Sequence, residues 1–392
     1  MKKSKKIIKW VLITGTSFAL SCALAFFLAV GCGAFGSMQS IWVGSAMTTF
    51  HHKYLAEWFV PEDKINELQG GNTQDINKPV ESNKDKYNIP KNTDKTDPSV
   101  DYEAQEEAKY TAEGYKKLES GVYLKQVEGI SSAGKYVGYL MLCSDPTRVK
   151  LVDTPKQFNV GRQVSQMLAD YGAIAGINGG GFVDGAEYMG NGGTPYGVII
   201  EDGKVVCGSY GRMICITEDG AMLLKNGSTD WALENKVVSA VSAEYLLIVD
   251  GQGMIKSGDG GWGIAPRTAL GQRETGEIIF LAIDGRQTGY SIGAAVADLQ
   301  NILLDEGCVN AAMMDGGSST VMEYATYSES GECSVELINK PNLGHDLESQ
   351  RYINNAWVIM PKSDKTETAT EATGATDASG ASNATGGSTG QR

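Results

Sequence analysis

From Ile278 to Ile283 the chain reads IIFLAI, with no polar residue, and then stops at Asp284-Gly285-Arg286. A loop bearing Gly and Ser follows over 288–293. Across 294–306, Val296, Leu299, Ile302 and Leu303 recur at helical spacing, and Gly307 stands where a helix C-cap belongs. A second apolar run, 309–314, ends at Asp315-Gly316-Gly317-Ser318-Ser319-Thr320. The pattern predicts strand, loop, helix, strand, loop: a β-α-β unit with an aspartate at each strand end. Parallel pairing delivers both aspartates to one edge of the sheet, where open α/β sheets bind ligands. Asp284, Arg286, Ser291, Asp315, Ser318 and Ser319 then face one crevice. Ser291 is also placed to N-cap the helix, whose free N–H groups favour an anion. A single Asp-Gly after a strand is ordinary turn chemistry. Two of them around one crossover, each trailed by Arg or paired Ser, read as a site.

The same patterning extends on both sides. Residues 122–128 and 136–143 read as strands, 161–171 as a helix. A short strand over 173–177 ends at Asn178-Gly179-Gly180-Gly181-Phe182. Asp202-Gly203 and Asp219-Gly220 are flanked by strand-like runs and predict hairpins. Residues 242–249 run as a strand into Asp250-Gly251, and 352–360 close the domain. The expected fold class is α+β (mixed α/β): a β-rich mixed sheet with two main helices and the β-α-β unit carrying the site. This domain takes residues 121–362, long enough to bury a full core.

Outside it the pattern changes. Residues 1–6 form a short basic tail, with Lys2, Lys3, Lys5 and Lys6, and Lys9 follows. Residues 7–30 run apolar for 24 positions without a charge after Lys9, long enough to span a bilayer as a signal anchor. Positive charge ahead of the span predicts a cytoplasmic N-terminus and an extracellular domain. A cleaved signal peptide is the alternative, as is lipidation at Cys32. Residues 31–60 are apolar and aromatic, with Trp42, Tyr54 and Trp58, as suits a membrane interface. His51 and His52 have no nearby set of carboxylates or cysteines to make a metal site. Residues 61–120 read as a polar linker with a short helix around 102–118, and 363–392 as a disordered Thr/Ala/Gly/Ser tail.

Net charge is −13 with no basic cluster beyond the first nine residues, which argues against nucleic acid as a partner. The seven cysteines match no zinc pattern and read as mostly free, buried thiols, with Cys207 and Cys215 able to face each other across a hairpin. The triple glycine after Asn178, Gly179-Gly180-Gly181, lets backbone approach a ligand closely. Arg267, in Ala265-Pro266-Arg267-Thr268-Ala269-Leu270-Gly271, begins an apolar strand just before the crevice-forming unit. An arginine there can clamp a carboxylate or phosphate with two hydrogen bonds, or serve a surface ion pair. Gly289-Tyr290-Ser291-Ile292-Gly293 matches G-x-S-x-G, and Ser291, Asp315, His345 follow the order of a hydrolase triad. A nucleophile elbow needs a strand directly before its serine, and here the strand ends at Asp284.

NGGGF at Asn178, PRTALG at Pro266, DGRQTGYSIGAA at Asp284 and MMDGGSSTVM at Met313, in this order and spacing, resemble the phosphodiester glycosidase family. The resemblance covers about 121–361, and the anchor and spacer resemble those of Gram-positive members. It departs at GGGF, where many members carry a bulkier residue before the Phe, and around His345. The family implies hydrolysis of a sugar-1-phosphodiester at its glycosidic bond, leaving a phosphomonoester, with a sugar phosphate or phosphorylated polysaccharide as substrate. In this chain the resemblance makes Asp284, Asp315, Arg267 and Arg286 the catalytic candidates. Asn178, Gly179, Gly180, Ser291, Gly316, Gly317, Ser318 and Ser319 are then the substrate-binding ones. A phosphate leaving group needs charge stabilisation more than a proton, which suits arginines and glycine-loop N–H groups. The sugar centre needs a carboxylate. No cofactor is expected. Two carboxylates leave room for a divalent metal, but no ligand spacing marks one. The alternatives are a non-catalytic envelope protein that binds phosphorylated polysaccharide, and the Ser291-Asp315-His345 hydrolase.

The lysines before the apolar run make a topological prediction. Protease added to intact, wall-stripped cells should remove the domain. A domain that stays protected while an external control protein is cut would reverse the orientation.

Overall fold

The computed structural model describes residues 2–33, 36–47, 53–70, 79–89, 97, 99–155, 159–184, 190–243, 245–256, 258–342 and 350–362. Three antiparallel sheets carry the domain. The largest orders eight strands: Lys116–Glu119, Val122–Ser131, Gly134–Cys143, Ile278–Ile283, Arg267–Arg273, Cys308–Met313, Tyr245–Val249 and Gln252–Gly253. A second sheet orders Lys204–Cys207, Ile199–Glu201, Val237–Ser242, Tyr210–Thr217 and Met222–Ser228. The third orders Cys333–Leu337, Met322–Tyr327, Ala175–Asn178, Asn355–Ile359 and Val149–Asp153.

Strand alternation explains the layering. Ile278, Phe280 and Ala282 enter a core shared by all three sheets, beside Ile177, Ile214 and Trp357. Ile279, Leu281 and Ile283 point the other way, onto Val296, Leu299 and Leu303 of the helix Val296–Asp305. Cover on both faces is why this strand is apolar throughout. Helix Val164–Tyr171 covers the outer face of the third sheet, and Thr229–Glu234 that of the second. The Asp202-Gly203 and Asp219-Gly220 hairpins form as expected. All seven cysteines are free thiols.

The β-α-β expectation holds with one change. Ile278–Ile283 and Cys308–Met313 do run parallel, but Arg267–Arg273 lies between them, antiparallel to both. Four residues join Arg273 to Ile278, and so short a connection makes its two strands antiparallel neighbours. The helical crossover therefore passes over an occupied position. Ser291 does not cap the helix; Ala295 does, its N–H donating to Asp298 Oδ2 at 2.8 Å.

Hydropathy groups 61–120 as a solvated linker, but from residue 79 on the described part packs on the domain. Glu81 and Ser82 add to the strand at Leu224 and Lys225, and the Tyr87 hydroxyl donates to Met222 O at 2.6 Å. Helix Tyr102–Ala112 delivers Tyr110, and Tyr115 follows it, into the face of the large sheet that carries Val296. Polar composition conceals this because the apolar contacts come from a few scattered residues, Tyr87, Tyr110 and Tyr115 among them. A cavity of about 770 Å³ lies between this segment and the domain, its charges paired across it as Lys84–Asp219 and Lys109–Glu277.

A helix spans Lys2–Gly31 and contains the expected anchor; several of its side chains lie outside the described residues. Among the described residues no helix is long and apolar enough to cross a membrane. Helices Gly36–Met47, Lys53–Glu57 and Glu62–Gly70 share a small core of Val43, Ala46, Ala56, Val60 and Ile65. His51 and His52 lie outside the described residues. The chain divides into the units Met1–Pro361 and Lys362–Arg392, and the expected tail, 363–392, also lies outside the described residues.

Tyr110 is 3% exposed and donates to Glu277 Oε1 at 2.8 Å. Tyr110→Ala should cost about 3 kcal/mol or more, the range for truncating a buried aromatic, read by denaturant unfolding. A loss below about 1 kcal/mol would return this segment to the status of a spacer. Burial pushes the Glu277 carboxyl up, but Lys109 and Thr275 outweigh it and hold it at about 2. Ionised Glu277, held by Lys109 and Thr275, should therefore contribute stability above about pH 4.5 and lose it as pH falls toward 2.

Candidate active site

The intercalated strand sets the geometry. Arg267 pairs with Ile283 on one side, and Ala269 pairs with Met313 on the other. Carrying that register on places Asp284 and Asp315 at the same sheet end, one strand to either side of Arg267. With strands about 4.8 Å apart, the two backbones stand about 10 Å from each other.

The two aspartates meet different surroundings. Asp284 is 1% exposed. Its Oδ1 accepts from Asn339 Nδ2 and the Lys340 N–H, each at 2.9 Å, and its Oδ2 from the Tyr290 hydroxyl at 2.9 Å. Burial raises its pKa, and the three donors offset part of the rise. Asp315 is half-buried and opens the turn Gly317–Ser319. Burial pushes it up to about 6 against the pull of Ser319, Arg351 and the Gly316 N–H; Asp184 adds to the rise. A carboxyl poised there changes charge near neutral pH.

The arginines also differ. Arg267 is 3% exposed, and its Nη2 donates to the carbonyls of Trp262 and Gly263 at 2.7 and 2.8 Å. The phosphate clamp expected of it is not the geometry seen: its donors grip the loop beside the crevice. Arg286 is exposed, with φ of 60°, and its guanidinium lies over Gly317, within 3.5 Å of where a Cβ there would stand. Its backbone is held by Ile292 O and Asn342 Nδ2, each at 2.9 Å.

Asn178 ties the parts together. Its Nδ2 donates to Asp315 O at 2.7 Å, and its Oδ1 accepts from Thr268 Oγ1 at 2.7 Å and Val321 N at 3.2 Å. Asp315 N–H donates to Gly179 O at 3.1 Å. The glycines that follow are required by neighbours within the protein. A Cβ on Gly179 would stand 2.1 Å from Asn355 Oδ1, and one on Gly180 2.5 Å from Val241 Cγ2. Gly316 lies over the Arg267 side chain, and Ser318 is half-buried in the turn.

Ser291 is fully buried; its hydroxyl donates to Asp284 O and accepts from Val137 N at 3.0 Å. With both capacities spent and no exposure it is no nucleophile, which removes the Ser291-Asp315-His345 triad. His345 lies outside the described residues. Among the described residues no group of three or more His, Cys, Asp or Glu is placed to hold a metal ion.

Several site residues lie outside the periodic and turn signals of the sequence. Asn339 and Lys340 reach Asp284 from the segment after Cys333–Leu337, and Lys340 Nζ lies 4.2 Å from the Tyr290 ring centre. Arg351 pairs with Asp184 at 2.6 Å and stands over Phe182 at 4.7 Å. In a chain of net charge −13, this sheet end gathers Arg267, Arg286, Lys340 and Arg351. The signal available was basic residues in polar segments, which hydropathy groups with loops.

Residues 171–360 match the family described as phosphodiester glycosidase. The catalytic domain of zebrafish N-acetylglucosamine-1-phosphodiester alpha-N-acetylglucosaminidase, auto-inhibited by its pro-peptide, is similar in fold. Its TM-score is 0.52 at 22% identity, over 63% of this chain and 86% of that one. A hypothetical protein from Synechocystis aligns with a TM-score of 0.43 at 16% identity, over 62% of this chain and 63% of the other. Among curated proteins, an uncharacterized SPbeta prophage-derived protein of Bacillus subtilis is 42% identical over 55 residues, which cover 14% of this chain but only 8% of that relative's length. The strand-end aspartates and the fold agree with this match, and it is residues 171–360 that are similar to the phosphodiester glycosidase family.

Proposed function

We propose that this protein hydrolyses the glycosidic bond of a sugar-1-phosphodiester in cell-envelope or extracellular polysaccharide, leaving a phosphomonoester. The observation that carries the reading is Asp315, pushed up to about 6, at the head of the Gly-Gly-Ser-Ser turn over which the Arg286 guanidinium lies. The zebrafish enzyme's name describes a sugar-1-phosphodiester, which supports the substrate class. Arg286 meets the phosphate charge, which grows as the bond to the sugar breaks. Phosphate leaves readily, so proton donation to it matters less than activation of water. Asp315, ionised above about pH 6, is the base for that water. Asp284, 1% exposed with three donors, holds Tyr290, Asn339 and Lys340 in place, and Arg267 holds the loop of Trp262 and Gly263. In this reading residues 7–30 anchor the protein, with the domain outside the cell.

Activity should rise with pH through about 6, because the base must be ionised. Asp315→Asn should lower turnover at least ~100-fold and abolish that limb, measured as free sugar released from a synthetic sugar-1-phosphodiester. An Asn variant that folds normally and turns over at the wild-type rate would leave a binding protein as the better reading.

Arg286→Ala should lose about 100-fold or more on the phosphodiester. On an aryl glycoside with an uncharged leaving group it should lose little, since no phosphate is present to meet. Equal losses on both substrates would take Arg286 away from the phosphate.

A further inference from the structure

We infer that Glu323 is a positioning residue whose proton holds Gln350 and, through the adjoining residue Arg351, the cation that faces Asp315. This rests on the reading of Asp315 as the catalytic base.

Glu323 lies on the strand Met322–Tyr327. Met322 enters the shared core, so Glu323 turns to the opposite face, as do Val321 and Ala325, which pack under helix Val164–Tyr171. It is 2% exposed, among the costliest places for an ionised carboxylate. One of its oxygens accepts from Gln350 Nε2. Its Oε2 and the Gln350 Oε1 are both buried, and among the described residues neither has a hydrogen-bond partner. Two acceptors without a donor are what a carboxylate and an amide leave behind; a proton on Glu323 supplies the donor. Burial pushes this carboxyl up to about 7, with Gln350 offsetting part of the rise.

The elements packed around it bring few competing charges. Helix Val164–Tyr171 carries Asp170, paired with Arg162 at 2.8 Å, and Tyr171, whose hydroxyl donates to Asp153 O at 3.1 Å. The neighbouring strand Cys333–Leu337 carries the Cys333 thiol and Glu336; Arg351 lies beyond Gln350. Only burial and Gln350 act appreciably on Glu323.

Gln350 is also the hinge to the site. Its carbonyl accepts from Gln163 Nε2 at 3.2 Å, and Ile353 exchanges two backbone hydrogen bonds with Arg162 at 2.9 Å. Between these ties Arg351 pairs with Asp184 and lowers the pKa of Asp315. Ionising Glu323 removes the donor to Gln350 and loosens the residues that hold Arg351 there.

The test uses the full-length protein and its Glu323→Gln variant, because a Gln side chain can both donate to and accept from Gln350. Hydrogen exchange is followed at residues 350–353, corrected for intrinsic rates, from pH 4.5 to 8.5. The wild-type segment should lose protection by close to tenfold per pH unit between roughly 5 and 7, then level off, since the closed form holds one more proton than the open form over that range. The Gln variant should show no such slope. On the phosphodiester, the wild type should lose activity as pH rises through about 7, and the variant should keep it. A wild-type segment without the slope, or the same slope in both proteins, would overturn the inference. If neither protein releases sugar, the proposed activity fails, and the exchange data still decide the role of Glu323.

Discussion

A buried guanidinium must have its donors satisfied, and most of this site follows from where Arg267 finds its partners. The residue sits at a sheet end, 3% exposed, between two strands that run opposite to its own. The carbonyls of Trp262 and Gly263 take its donors, which fixes the loop at the crevice wall. Gly316 lies over its side chain, so the turn that carries Asp315 is seated on the same group. The strand beginning at Arg267 also spaces Asp284 from Asp315. Removing a partner of such a group leaves a buried charge unmet, so its setting is rigid.

That frame gives two chemically identical side chains different work. Asp284 is enclosed and has a donor for each oxygen, so its charge is spent within the protein. Asp315 is more open and stands near both a cation, Arg351, and an anion, Asp184. Opposed influences of this kind let a carboxyl titrate in the range where enzymes work. Neither environment belongs to the Asp-Gly dipeptide itself. Each is made by residues that arrive from elsewhere in the chain.

Residues that arrive in this way leave little trace in the local pattern. The strand ends, the crossover helix and its Gly307 cap follow from period and turn chemistry. Asp284, Arg286 and Asp315 therefore stood out as residues of one sheet edge. Asn339, 55 positions from Asp284, and Arg351, 167 from its partner Asp184, lie in irregular polar stretches with no period to expose them. Arg267 was placed correctly at its strand start, but spacing does not say whether an arginine points to a ligand or to a carbonyl. The strand Arg267–Arg273 between the two parallel strands was equally hidden, since a β-α-β pattern is the same whether or not another strand has entered. The helix before residue 120 is legible, but its docking is not, because Tyr87, Tyr110 and Tyr115 make apolar contacts that average polarity conceals.

Arg286 shows how such a site weighs on the rest of the molecule. Its backbone holds a φ of 60°, a left-handed conformation that disfavours any side chain with a Cβ by about 1–2 kcal/mol. Glycine would relax that turn and leave the two backbone hydrogen bonds that define it intact. A search for thermostable variants would therefore be drawn to position 286, and each success there would discard the guanidinium over Gly317. Stability and the proposed phosphate contact compete at this one residue. A family sequence with glycine or asparagine at this position would carry a sturdier loop and a weaker hold on anions.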